Sequence, residues 1–208
     1  MGNLYIANHP LIKSKLALLR NANTGAKEFR EIAGEVATLL FYDATRDLPT
    51  NKCTVRTPIQ DAECEMVDAG IAIVPILRAG LGMVEGILRL VPTAKVGHIG
   101  IFREPKTLEP VEYYSKLPPD CKDRHVYLID PMLATGGTAS TSISFMNKKG
   151  ISKITFLCLL ACPSGVDKIQ KNHPDVDIYA AALDPILNDH GYIVPGLGDA
   201  GDRIFGTK

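Results

Sequence analysis

At 208 residues, 46% of them hydrophobic, the chain can bury one core of ordinary size without disulfides or metal, so a single domain over 1–208 is expected. Lys+Arg and Asp+Glu both number 23, and the formal net charge of +0 supplies no overall field toward nucleic acid or an anionic membrane. Cys53, Cys64, Cys121, Cys158 and Cys162 form no C-x-x-C pair and no apolar run nears the ~18 residues of a membrane span, which argues against a disulfide framework, structural zinc or an anchor and predicts a cytoplasmic protein with reduced thiols.

In chain order, a short helix is expected over 11–19. A longer amphipathic one follows over 24–45, where Phe29, Ile32, Val36, Leu39 and Leu40 fall at helical spacing behind Thr24 as N-cap. These N-terminal helices, within 1–50, read as packing elements for the sheet or for a second subunit. After a polar extended stretch at 53–59, strands and helices alternate: strand 71–76, helix 81–90, strand 96–102, strand 126–129, helix 138–149, strand 154–160, helix 166–172 and strand 177–182. The pattern predicts an α/β fold with a mostly parallel central sheet flanked by helices, whose ligands bind at the carboxyl ends of the strands. Two segments break it. Residues 103–119 read as an extended hairpin flap that projects from the sheet rather than joining it, and 183–208, rich in Gly, Pro and Asp, as an irregular cap over one end.

The residues after the strands carry the chemistry. Strand 126–129 delivers Asp130 to the sheet edge. Beyond Pro131, Met132 and Leu133, the small residues Ala134, Gly136 and Gly137 let backbone N–H groups approach an anion, Thr135 and Thr138 add hydroxyls, and the following helix adds the positive end of its dipole. This is a phosphate cradle, or else an ordinary tight turn with Thr138 as a helix cap. Arg78, Ala79 and Gly80 follow strand 71–76 as a second anion loop, unless Arg78 merely pairs with a surface carboxylate. Arg103 follows the next strand, and two arginines at equivalent positions suit a polyanion.

Residues 196–201 formally match G-x-G-x-x-G, but that fingerprint acts only where it opens a helix inside a βαβ unit, so these glycines are expected to shape a pocket. His9, His98, His125, His173 and His190 show no metal-ligand spacing, and no nucleophile elbow or P-loop occurs.

With these motifs in this order the chain resembles the type I phosphoribosyltransferases and, over essentially its whole length, their uracil-specific branch. The resemblance implies that Asp130, Pro131, Met132, Leu133, Ala134, Thr135, Gly136, Gly137 and Thr138 bind 5-phosphoribosyl 1-pyrophosphate (PRPP). Pro131 stands where many relatives carry a second acid, a departure typical of the uracil enzymes that leaves one carboxylate for the ribose hydroxyls. It further implies that Arg78, Ala79, Gly80 and Arg103 hold pyrophosphate, and that Tyr192, Ile193, Gly198, Asp199 and Ala200 belong to a uracil-binding hood within 183–208.

The implied salvage reaction moves phosphoribose from PRPP to N1 of uracil, giving UMP and pyrophosphate. Asp130, Arg78, Arg103 and Asp199 would be its catalytic residues, and Mg²⁺ would be held through PRPP and water with no direct protein ligand. Asp199 would orient PRPP, assist loss of the N1 proton, or fold the hood. A GTP effector and a homodimer or larger homo-oligomer are also implied, with no nucleic-acid or membrane partner. Two alternatives stay open: transfer to another base, and a non-catalytic nucleotide sensor that binds RNA, which the neutral charge disfavours.

Overall fold

The computed structural model describes residues 2–103 and 110–207. Its first half contains β1 (Leu4–Ile6), α1 (Pro10–Arg20), α2 (Ala26–Ala44), β2 (Thr50–Arg56), β3 (Asp61–Val67), β4 (Ile71–Leu77), α3 (Leu81–Leu90), β5 (Lys95–Val96) and β6 (His98–Arg103). Then follow β7 (Pro110–Lys116), β8 (His125–Ile129), β9 (Met132–Leu133), α4 (Gly137–Lys148), β10 (Ile154–Ala161) and α5 (Pro163–Asn172). The chain continues with β11 (Asp177–Leu183), β12 (Ile186–Leu187), β13 (Ile193–Val194) and α6 (Ala200–Phe205).

The sheet runs β1-β11-β10-β8-β4-β6-β7, with β5 beside β4 and β9 beside β10. Its pairings are parallel except at β6–β7. Every residue of β10 is buried, as a strand covered on both faces must be. Successive side chains of β8 divide between two cores: Tyr127 and Ile129 face Phe29, Phe41 and Leu40 under α1–α3, while Val126 and Leu128 face Ile143, Phe156 and Ile169 under α4 and α5. Each such side chain contributes about 1.5–3 kcal/mol on burial, so the central strands, and hence their carboxyl ends, are held rigidly.

The alternation and the position of α3 agree with the sequence. Four details differ. Gly25, not Thr24, is the N-cap of α2; the Thr24 hydroxyl instead donates to the Leu18 carbonyl at 2.6 Å and closes the α1–α2 turn. Strand 96–102 is two strands, broken at Gly97, whose N–H donates to the Ile73 carbonyl. The stretch at 53–59 is extended only to Arg56, the end of β2, which pairs with β3 in a separate hairpin with Cys53 opposite Cys64; 57–59 lie in its turn.

The fourth difference lies in the flap. β7 does join the sheet, pairing antiparallel with β6 from His98↔Lys116 to Arg103↔Pro110. β4 meets β6 only at Ile76↔Ile99 and Leu77↔Gly100, so 101–103 and 110–112 run on past its carboxyl end. The hairpin is an edge of the sheet at its base and extends beyond the sheet only farther out, because backbone groups along β6 are unpaired unless β7 takes them up. The rest of the expected flap, 104–109, lies outside the described residues. The expected irregular cap contains the β12–β13 pair and α6.

Candidate active site

β4 and β8 are neighbours, with Pro75 opposite Ile129, so the loops that leave their carboxyl ends lie side by side. Asp130 follows β8, its N–H donating to the Leu157 carbonyl at 3.2 Å. The half-buried carboxyl accepts from the Met132 N–H at 3.3 Å. Withdrawal from water pushes its pKa up to about 7, and the Met132 bond pulls the other way. Beneath it Cys158 is fully buried, its thiol pushed well up by burial and by the Asp130 charge, which makes it an inert packing thiol.

The loop expected to cradle a phosphate is built around Gly136, which has φ 72° and is the N-cap of α4. Thr138 is therefore inside the helix and does not cap it. A Cβ at Gly136 would lie 2.8 Å from the Gly165 carbonyl oxygen, so the loop packs directly on the start of α5. With a glycine at the cap, no cap side chain covers the first-turn N–H groups of α4, which suits an anion. The Thr135 hydroxyl accepts from the Gly137 N–H at 3.5 Å.

The loop after β4 contains a cis peptide between Leu77 and Arg78. Gly80 allows it to fold onto the strand ends: a Cβ there would sit 2.6 Å from the Ile129 carbonyl oxygen. The Arg78 guanidinium is largely exposed, 3.8 Å from an Asp202 carboxylate oxygen and 5.6 Å from the Phe205 ring centre. With the arginine exposed and the separation long, this contact contributes little, so the arginine can re-aim toward a stronger anion. Sequence reasoning missed Asp202 and Phe205 as its neighbours because they belong to α6, more than a hundred residues away. Arg103 ends β6, and the contact expected of its side chain lies outside the described residues.

The hood closes over these loops. The Asn188 N–H donates to the Tyr192 carbonyl at 2.9 Å, and the next pair is Leu187↔Ile193. Hydrogen-bonded and non-bonded pairs alternate in an antiparallel ladder, so the N–H and carbonyl of Ile193 turn away from β12. Gly198 has φ 80°. Asp199 caps α6, its carboxylate accepting from the Asp202 N–H at 2.9 Å. Of the three roles expected of Asp199, folding the hood is the one with a bond to it.

A cavity of about 310 Å³ brings the pieces together: Arg78 and Ala79 from the β4 loop, Met132 and Ala134 from the β8 loop, and Tyr192, Ile193, Gly198, Asp199 and Ala200 from the hood. A larger cavity of about 610 Å³ lies against the hood and the α1–α2 turn, lined by Thr24, Asn188 and Arg203 among others; it lacks both anion loops. Among the described residues no group of three or more His, Cys, Asp or Glu converges as a metal site, and no helix is long and apolar enough to cross a membrane.

The family model for uracil phosphoribosyltransferase matches residues 6–207. Uracil phosphoribosyltransferases of Geobacillus sp. and Bacillus licheniformis are each 58% identical over 210 aligned positions, covering 100% of both chains. Among solved structures, the AQ2163 protein from Aquifex aeolicus has a TM-score of 0.93 at 40% identity and covers 99% of each chain. The adenine phosphoribosyl transferase from Trypanosoma brucei, solved with AMP, pyrophosphate and ribose-5-phosphate, shares the fold, with a TM-score of 0.61 at 15% identity over 92% of this chain and 88% of that one.

Proposed function

The chain belongs to the uracil phosphoribosyltransferase family and forms UMP and pyrophosphate from uracil and PRPP, and from that premise we propose how its residues divide the work. The observation that carries the proposal is the convergence of the two anion loops and the hood on one cavity. The 5′-phosphate rests on the backbone of 134–138 at the start of α4, and the Asp130 carboxylate takes the ribose hydroxyls. Arg78, Ala79 and Gly80, with Arg103, receive pyrophosphate. N1 of uracil bonds to C1′ of the ribose as the C1′–oxygen bond to pyrophosphate breaks, and the N1 proton leaves to water.

The developing sugar cation needs no covalent nucleophile; positioning and stabilisation of the departing charge suffice. Mg²⁺ would be held by PRPP oxygens and water, where it supplies charge to the leaving group. Asp130 fits that neighbourhood: a carboxyl that burial holds partly neutral ionises when donors and positive charge arrive.

Uracil presents acceptor, donor and acceptor along one edge, and the outward backbone of Ile193 with that of Gly198 can offer the complement. Fixed backbone cannot turn to accommodate cytosine, whose exocyclic amine would meet a donor and leave buried groups unpaired. A homo-oligomer, with a GTP effector, belongs to the same proposal. The assay is incubation with PRPP, Mg²⁺ and each of uracil, cytosine, hypoxanthine and adenine. UMP alone is expected, and comparable turnover of cytosine or a purine would overturn the account of the hood.

A further inference from the structure

We propose that Arg20 and Asp184 are positioning residues for the acceptor base: as a pair they hold the hood loop in the geometry that reads uracil. This rests on the functional reading above and adds residues that lie outside the cavity's described lining.

Arg20 is the last residue of α1, and Asp184 directly follows β11. Their side chains meet fork to fork: Nη1 of Arg20 donates to Oδ2 of Asp184 at 2.7 Å, and Nη2 to Oδ1 at 2.7 Å. The same Nη1 donates to the Gly196 carbonyl at 2.8 Å, and Oδ2 of Asp184 accepts from the Gly196 N–H at 2.9 Å. One ion pair thus takes up both backbone polar groups of a single hood residue. Asp184 is only 5% exposed. Burial pushes its carboxyl up, but the Arg20 and Gly196 bonds outweigh burial and hold it below its ordinary value.

Gly196 is where the hood doubles back. Its φ is 62°, and a Cβ there would collide with the Ile193 carbonyl. The next residue is anchored as well. Arg203 donates through Nη1 to the Leu197 carbonyl at 2.8 Å and also to the Leu19 carbonyl, through Nη2 to the Asn21 carbonyl at 2.6 Å, and lies 4.3 Å from the Phe29 ring centre. The anchored residues 196–197 stand between Ile193 and Gly198, both of which face the cavity.

A pair of this kind, its carboxylate buried and its guanidinium partly so, returns little net stability, because desolvation offsets the attraction; its best-supported use is to fix one geometry among several. Here it fixes backbone donors and acceptors that have no rotamer of their own to hold them. A hood released from the pair would have to be ordered at the moment of base binding, and that cost falls on the base alone. The phosphate cradle belongs to a different loop, on β8 and α4, and is untouched by the pair.

Calorimetric titration of the full chain with UMP and, separately, with ribose 5-phosphate separates the two parts, since both ligands use the cradle and only UMP uses the hood. For Asp184→Asn and Arg20→Lys, UMP affinity is expected to fall about tenfold or more, with ribose 5-phosphate affinity within about twofold of wild type. Arg20→Lys keeps a cation against Asp184 but loses the fork, so it carries the test by itself should Asp184→Asn not fold. A folded variant with the wild-type ratio of the two affinities, or one that loses both equally, would overturn the proposal. Wild-type protein that binds UMP no more tightly than ribose 5-phosphate would instead overturn the reading of the hood on which it stands.

Discussion

Asp130 is the residue at which environment matters most. Its carboxyl titrates near 7 in the folded chain, against 3.8 for an ordinary aspartate. A folded-state value raised in this way contributes stability that is complete below the ordinary value and is lost as pH rises through the folded one. Ligand-free Asp130→Asn, neutral at every pH, should therefore gain melting temperature relative to wild type between pH 4 and pH 8. A constant difference across that range would contradict the assignment. The same variant is expected to lose at least about tenfold in kcat/KM, because an amide replaces the acceptor pair offered to the ribose hydroxyls. Arg78 gives the opposite signature. Its side chain is 60% exposed, so Arg78→Lys should melt with wild type while kcat/KM falls about tenfold or more, a lysine having no planar fork for pyrophosphate. Unchanged kinetics would remove Arg78 from the site.

Among the elements, the β2–β3 hairpin stands apart. It forms its own two-stranded sheet and leaves Ile59 89%, Met66 64% and Val67 58% exposed. A two-stranded hairpin is marginal by itself in water, and a second copy of the chain is the partner the proposed homo-oligomer supplies. Sedimentation of wild type should give a multiple of the 22.5 kDa chain, and Ile59→Asp with Met66→Lys should shift it toward one chain. A monomeric wild type would remove the hairpin from that role. The flap teaches a related lesson about legibility. Its segment reads as extended from sequence, and it is extended, but whether an extended segment stands free or pairs depends on an unpaired neighbour, here β6. Helix α3, by contrast, starts and ends where its sequence does, because glycine before it and periodic apolar positions within it are local signals.

Across the whole molecule, the cavity is assembled from Arg78 and Ala79 after β4, Met132 and Ala134 after β8, and hood residues between 191 and 201, brought together by a parallel sheet whose strand order places β4 beside β8. The sequence by itself determined the alternation of strands and helices, the carboxyl-end positions of Asp130 and Arg78, and the glycine-paired turn that leads into α4. Each of these follows from burial patterns and backbone freedom within a few residues. Only the tertiary structure decided that Gly136 caps α4 and Thr138 does not, that β7 completes the sheet edge, and that Asp199 caps α6. It alone paired Arg20 with Asp184 across 164 residues. Contacts of that separation leave no periodicity in the chain, because they are set by how the packed core closes the distance between segments and not by what either segment prefers locally.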